Sequence, residues 1–288
     1  MALTAIAVLL RILSNPLANV FQKQLTERSE PPLKVNFITF LLLSAVCIVP
    51  ATRIEWAALP KEFWVWCTVA GIFGATGNGF LVKALQGGDL SVLGPINSYK
   101  SVVGMIAGIL LLGEIPGLWG VAGIALIVGG SYFVLDTLNE KFSPAILRRK
   151  DIRYRIWAMV LTAVEAVFIK KVILYASATT AFITWCWFGA LFSLALALLA
   201  GRSQSPLRIR RKDFSRYVWL VLCIATMQYT TNYVFDRMNV GYALALFQLS
   251  TIVSILLGYK IFREQAIGRK LLGAVIMIVG SVLIIFSK

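Results

Sequence analysis

Apolar residues run along the chain in blocks of about 20, the length a helix needs to cross a hydrocarbon core ~30 Å thick. Clusters of charge, proline and glycine separate the blocks. Cutting at those breaks predicts ten helical spans, at 2–22, 35–51, 62–84, 90–112, 117–136, 154–175, 178–200, 214–235, 240–262 and 266–286. Connections are short except for 137–153 and 201–213. The first block is read as a retained helix and not as a signal peptide, because Arg11 interrupts its apolar core and no small-residue cleavage site follows. Pro16 is expected to kink it.

The pattern also repeats. A shift of 150 residues superposes Gly108 on Gly258, Glu114 on Glu264, Gly123 on Gly273 and Gly130-Ser131 on Gly280-Ser281. Slightly smaller shifts superpose Val20-Phe21 and Lys23 on Val167-Phe168 and Lys170, and Phe37-Ile38-Thr39 on Phe182-Ile183-Thr184. The matches keep their order along the chain. The expected organisation is therefore an all-α integral membrane protein with ten transmembrane helices in a 5+5 repeat: 1–137, a basic connecting loop at 138–153, and 154–288. An odd number of helices per unit makes the second copy enter the membrane from the opposite side. In such inverted-topology repeats the binding site typically lies near the midplane, between the halves.

Gly113-Glu114-Ile115-Pro116, followed by Gly120, Gly123 and Gly129-Gly130, resembles the end of the fourth helix and the fifth helix of EamA-type proteins of the drug/metabolite transporter superfamily. Arg263-Glu264 with Gly273 and Gly280 is a degenerate second copy, without the Gly and Pro around the Glu. The resemblance implies a 5+5 inverted repeat around a cavity lined mainly by helices 1, 3, 4, 6, 8 and 9, with helices 5 and 10 outside it. It also leans towards export.

Composition narrows the function. The chain is 59% hydrophobic and 14% charged, with mean hydropathy +0.80, too apolar for a soluble fold of 288 residues. Its net charge of +15 points to membrane loops and not to nucleic acid, because the basic residues fall between apolar blocks. Histidine is absent, which removes His-based metal sites, catalytic triads and imidazole relays. Cys47, Cys67, Cys186 and Cys223 lie inside apolar blocks without CxxC spacing and read as free, buried thiols. No P-loop sequence occurs, and no cofactor or metal is expected.

Lysine and arginine are unevenly placed, with 19 in the odd-numbered loops and 6 on the other side. The positive-inside rule then puts the odd loops in the cytoplasm and both termini outside, whereas the family resemblance implies the reverse.

Ionisable residues at membrane depth need a reason. Lys100 is in the fourth span, with Asn97, Gly104 and Gly108 on the same face. It could meet a substrate carboxylate or phosphate, or simply neutralise an internal acid. Glu165 is the acid clearly within a span and could pair with Lys100 or Arg11, or carry a proton. Arg11 could equally snorkel to the interface. Gln228, Asn232 and Asp236 recur at four-residue spacing in the eighth span beside Tyr229. The repeat offset pairs Gln228 with Asn78, and Gln248 with Ser98. The candidate substrate-binding set is Lys100, Asn97, Asn78, Glu165, Gln228, Asn232, Gln248 and Tyr229. Trp56, Trp64, Trp66, Trp119, Trp157 and Trp219 sit near span ends as interfacial anchors, while Trp185 and Trp187 lie deeper, with lipid-facing packing the commoner outcome.

These features predict a secondary, non-ATP transporter, an exporter, moving a small polar metabolite such as an amino acid or organic anion by alternating access. Its partners would be the lipid bilayer of a bacterial cytoplasmic membrane, a small-molecule substrate and a coupled proton or counter-substrate. A non-transporting receptor or assembly factor is the alternative, and an intramembrane enzyme a more remote one.

Overall fold

In lipid, backbone N–H and C=O groups must be satisfied within the segment that carries them, so apolar blocks of this kind fold as helices. The computed structural model describes residues 2–28, 30–100, 102–103, 117–137, 144–200, 209–238 and 240–286, and among these every regular element is helical. Gly104, Gly108, the Gly113–Pro116 motif and the loop residues 138–143 and 201–208 lie outside the described residues.

The elements are α1 (Ala2–Glu27), α2 (Pro32–Val46), α3 (Lys61–Gly87), the short α4 (Leu90–Leu93), α5 (Leu118–Leu135), α6 (Lys150–Tyr175), α7 (Ala178–Leu199), α8 (Phe214–Arg237), α9 (Val240–Phe247), α10 (Ser250–Phe262) and α11 (Ile267–Phe286). Helices α1, α3, α5 and α7 are each long and apolar enough to cross a membrane. Helix α1 runs through Pro16 without interruption of its helical assignment.

Two predicted spans are broken. The 90–112 block is not one continuous helix, because α4 ends at Leu93 and a 3-10 turn follows over Pro95–Ser98. Pro95 supplies no backbone N–H and its ring opposes the carbonyl four residues back, which favours a break in the α-helix there. The 240–262 block divides at Gln248-Leu249, where Leu249 and Thr251 donate to the carbonyls of Leu246 and Gln248, three residues back. The two breaks meet: Gln248 Nε2 donates to the Asn97 carbonyl at 3.1 Å, so a side chain at one break satisfies backbone exposed at the other.

The helices pack in pairs that draw on both ends of the chain: α3 against α6, α1 against α8, α2 against α7, α5 against α11, and α4 against α10. Small residues set the closest approach. A Cβ built on Gly130 would lie 2.7 Å from the Gly273 carbonyl, and one on Gly280 would lie 2.6 Å from the Gly123 carbonyl. The backbones of α5 and α11 therefore touch where any side chain would separate them, the small-residue packing that membrane helices favour.

Lysine side chains close two helix ends. Lys23 Nζ on α1 donates to the Gly88 carbonyl at 2.6 Å, just past α3, and Lys170 Nζ on α6 donates to the Phe235 carbonyl near the end of α8. Carbonyls of a last turn have no helical partner, and a cation also complements the helix dipole there.

Arg263 ends α10 with φ 56°, a left-handed conformation that glycine adopts without strain. The repeat offset places Gly113 opposite it, so the second copy holds a strained arginine where the first has glycine. Arg263→Gly is expected to stabilise the fold by about 0.5–1 kcal/mol, the relief of the left-handed penalty less the added unfolded-chain entropy. A melting temperature raised over wild type in the same detergent is the check.

Candidate functional site

One face of α1 carries Arg11, Asn15 and Asn19 at four-residue spacing, which stacks them as a polar stripe. That stripe forms one wall of a cavity between helices from both ends of the chain. Asn78 and Gly74 come from α3, Asn97 and Lys100 from the break after α4, and Arg155, Thr162 and Glu165 from α6. Trp185 comes from α7, Gln228 and Thr231 from α8, and Leu244 and Phe247 from α9. The remaining wall includes Leu81, Ala158, Ala166, Ile169, Met227 and Phe235, and the cavity volume is about 110 Å³. Among the described residues, α5 and α11 contribute none to the lining.

Arg11 does not snorkel. Its Nε donates to Thr231 Oγ1 at 2.8 Å, its guanidinium lies 4.8 Å from the Phe247 ring centroid, and its Nη1 is buried without a partner. Arg155 is buried on α6, with Nε donating to the Leu93 carbonyl at 2.7 Å. Lys100 lines the cavity and makes no hydrogen bond or ion pair among the described residues, while lying within electrostatic range of Arg155, Arg11 and Glu165.

Glu165 is held by tryptophan rather than by a cation. Trp185 Nε1 donates to Glu165 Oε1 at 2.6 Å, and no lysine or arginine forms an ion pair with this carboxylate among the described residues. Gly74 makes the arrangement fit, since a Cβ there would collide with Glu165 Oε1 and stand 3.1 Å from Trp185 Nε1. Phe40 packs on the other side of Trp185, ring centroids 4.7 Å apart. Trp185 is thus a buried cavity residue, not the lipid-facing one that its depth in an apolar block suggests.

Amide side chains behind the wall hold Asn78 and Gln228 in place. Gln22 Nε2 donates to Asn78 Oδ1 at 3.4 Å, Asn78 Nδ2 to Asn36 Oδ1 at 2.5 Å, and Asn36 Nδ2 to the Ala75 carbonyl at 3.0 Å. Opposite, Gln228 Nε2 donates to Asn232 Oδ1 at 2.9 Å, and Asn232 Nδ2 to the Ala178 carbonyl at 3.3 Å.

Of the sequence candidates, Lys100, Asn97, Asn78, Glu165 and Gln228 come together on the cavity wall. Asn232 lies fully buried behind Gln228, which it orients, and Gln248 is occupied in joining the two helix breaks. Tyr229 is not at the cavity. One residue on from Gln228, it is turned by about 100° on the helix, is 41% exposed, and packs edge-on against Phe182. Arg155, Asn15 and Asn19 are cavity residues outside the sequence candidates. The α1 stripe was readable as a period of four. Arg155 was hidden by its place in a basic run, where it counts as a loop residue.

The EamA-like transporter family model matches residues 2–136 and 153–286, nearly the whole chain. The chain belongs to the EamA-like transporter family. It is accordingly an integral membrane transporter, a class distinct from enzymes. Over 98 residues it is 29% identical to a protein of Sinorhizobium sp named "Uncharacterized transporter in cobO 3'region", which covers 32% of this chain and 68% of that one. A solved crystal structure aligns over 98% of this EamA-like chain and 96% of its own, with a TM-score of 0.68 at 16% identity, a likeness of fold alone.

Proposed function

We propose that this EamA-like protein is a secondary transporter that exports a small polar metabolite by alternating access, using two five-helix halves of inverted topology. The observation that carries this reading is the cavity between the halves. Both line it, and it holds a lysine with no partner among the described residues. The helix pairing supports the inverted repeat. Exchanging the halves turns the α1–α8 contact into the α6–α3 contact and maps α2–α7 and α5–α11 onto themselves. The glycines obey the same exchange, Gly123 meeting Gly280 and Gly130 meeting Gly273. Lys23 and Lys170, matched by the repeat, each cap the third helix of their own half. The family model matching in two segments, 2–136 and 153–286, supports the same division.

Purified protein in liposomes is expected to exchange a labelled metabolite drawn from a pooled extract without ATP, and to show counterflow when preloaded. Absence of any counterflow from protein that melts cooperatively would remove this reading.

The charge bias orients the protein, in a bacterial cytoplasmic membrane, with its basic loops in the cytoplasm and both termini outside. Burial of Arg155 in the cavity leaves that bias large. A cytoplasm-only fluorescent reporter fused to the C-terminus is expected to stay dark, and a periplasm-active enzyme fusion to work. The opposite pattern would reverse the orientation.

A further inference from the structure

We propose that the solute recognised in this cavity is a compact organic dianion, carrying its charge as two carboxylates or one phosphomonoester. The inference rests on the transporter reading and names the class of its substrate. Among the described residues the charged lining comprises Arg11, Lys100 and Arg155 against Glu165, three cations and one carboxylate, which leaves two positive charges.

Each cation has donor capacity left for a ligand. Arg11 uses Nε on Thr231 and buries Nη1 without a partner, Arg155 uses Nε on a carbonyl, and Lys100 uses none of its donors on described residues. Glu165 offsets one of the three charges but forms no ion pair with any of them among the described residues, its Oε1 accepting from the Trp185 indole. Like charges held among Leu81, Ile169, Leu244 and Phe247 repel one another beside apolar walls, so an uncompensated excess is costly. A dianion cancels the excess. A monoanion leaves one charge over, and a zwitterion or neutral solute changes nothing. Guanidinium and ammonium groups also match carboxylate and phosphate oxygens in hydrogen-bond geometry.

The test uses the full chain in nanodiscs of zwitterionic lipid. Melting is followed with succinate, glycerol 3-phosphate, lactate or alanine, each against sodium chloride of equal ionic strength. At least one of the two dianions is expected to raise the melting temperature, and lactate and alanine are not. Succinate alone assigns a dicarboxylate, and glycerol 3-phosphate alone a phosphomonoester. Arg155→Gln and Arg11→Gln are each expected to weaken that binding about tenfold or more, as loss of a charged hydrogen bond requires, and Arg155→Lys to retain part of it. Should Arg155→Gln fail to fold, Arg11→Gln carries the comparison. No shift with either dianion, or a larger shift with alanine or lactate, overturns the proposal. Liposome flux with the same four solutes separates the two readings. Dianion binding without flux removes the transport reading and leaves the site. Alanine flux without dianion binding does the reverse.

Discussion

Lys100→Met is expected to abolish transport while leaving the protein folded and inserted. Removing one partner of a desolvated charge pair costs about 2–5 kcal/mol, so flux should fall roughly 30-fold or more. Folding should survive because Lys100 bonds to no described residue, and because Glu165 keeps its indole partner when the lysine is gone. The variant also removes an ammonium whose burial costs free energy, so its melting temperature should equal or exceed that of wild type. Lys100→Arg keeps the charge on a larger planar head and should retain part of the flux.

A lysine serving only to neutralise Glu165 would behave otherwise. Lys100→Met would then destabilise the protein by leaving a buried carboxylate, and adding Glu165→Gln would restore both stability and transport. With Glu165 held by Trp185, the double variant is expected to stay inactive however well it melts. Liposome counterflow and melting curves on the three variants decide the matter, and an active double variant would refute a substrate-binding role for Lys100.

The parts of this structure that show in the sequence are those set by local period and composition. Apolar block length was enough for the long helices α1, α3 and α7, and four-residue spacing for the polar stripe on α8. The repeat offset paired Gln228 with Asn78, and both line one cavity. Whatever depends on what faces what was not legible. Arg155 belongs to a basic run that reads as loop, and what sets it apart is its burial on α6 with Nε donating to the Leu93 carbonyl. Trp185 and Trp187 are two residues apart in the same apolar block, yet Trp185 bonds Glu165 while Trp187 packs against Trp56 at 5.2 Å. Tyr229 shares a helix with the true lining residues but points away from them. The break at Gln248 carries no proline, so it becomes visible only beside the proline-induced break it faces.

Glu264→Gln is expected to destabilise the fold by about 2–4 kcal/mol, even though the side chains are nearly isosteric. Glu264 is buried in the turn between α10 and α11, where each carboxylate oxygen is used. Oε1 accepts from the Leu90 backbone N–H at 2.7 Å, and Oε2 from the Ser91 N–H at 2.9 Å and from the Ser91 hydroxyl. Lys23 Nζ stands 3.7 Å away, and Lys270 Nζ donates to the same Ser91 hydroxyl at 2.8 Å. An amide has one acceptor oxygen, so its NH₂ would face a backbone N–H at whichever site it turned to, donor against donor. It would also remove a counter-charge beside two buried ammonium groups, leaving Lys23 with Glu27 at 3.9 Å and Lys270 with Asp89 at 4.0 Å. The cluster ties α1 and α4 to the α10–α11 turn on the face that carries the basic loops, so its loss should loosen that face of the cavity as well as the fold. Two measurements follow from the same variant: a lower melting temperature, and faster labelling by an impermeant maleimide, applied from the basic-loop side, of a cysteine placed at Thr162 in a chain lacking its four native ones. Unchanged melting would mean that water satisfies these groups. Lower melting with unchanged labelling would confine Glu264 to stability and leave closure of this face to the separate Glu30–Arg210–Asp213 cluster, in which Arg210 Nε lies 2.9 Å from Glu30 and 2.8 Å from Asp213.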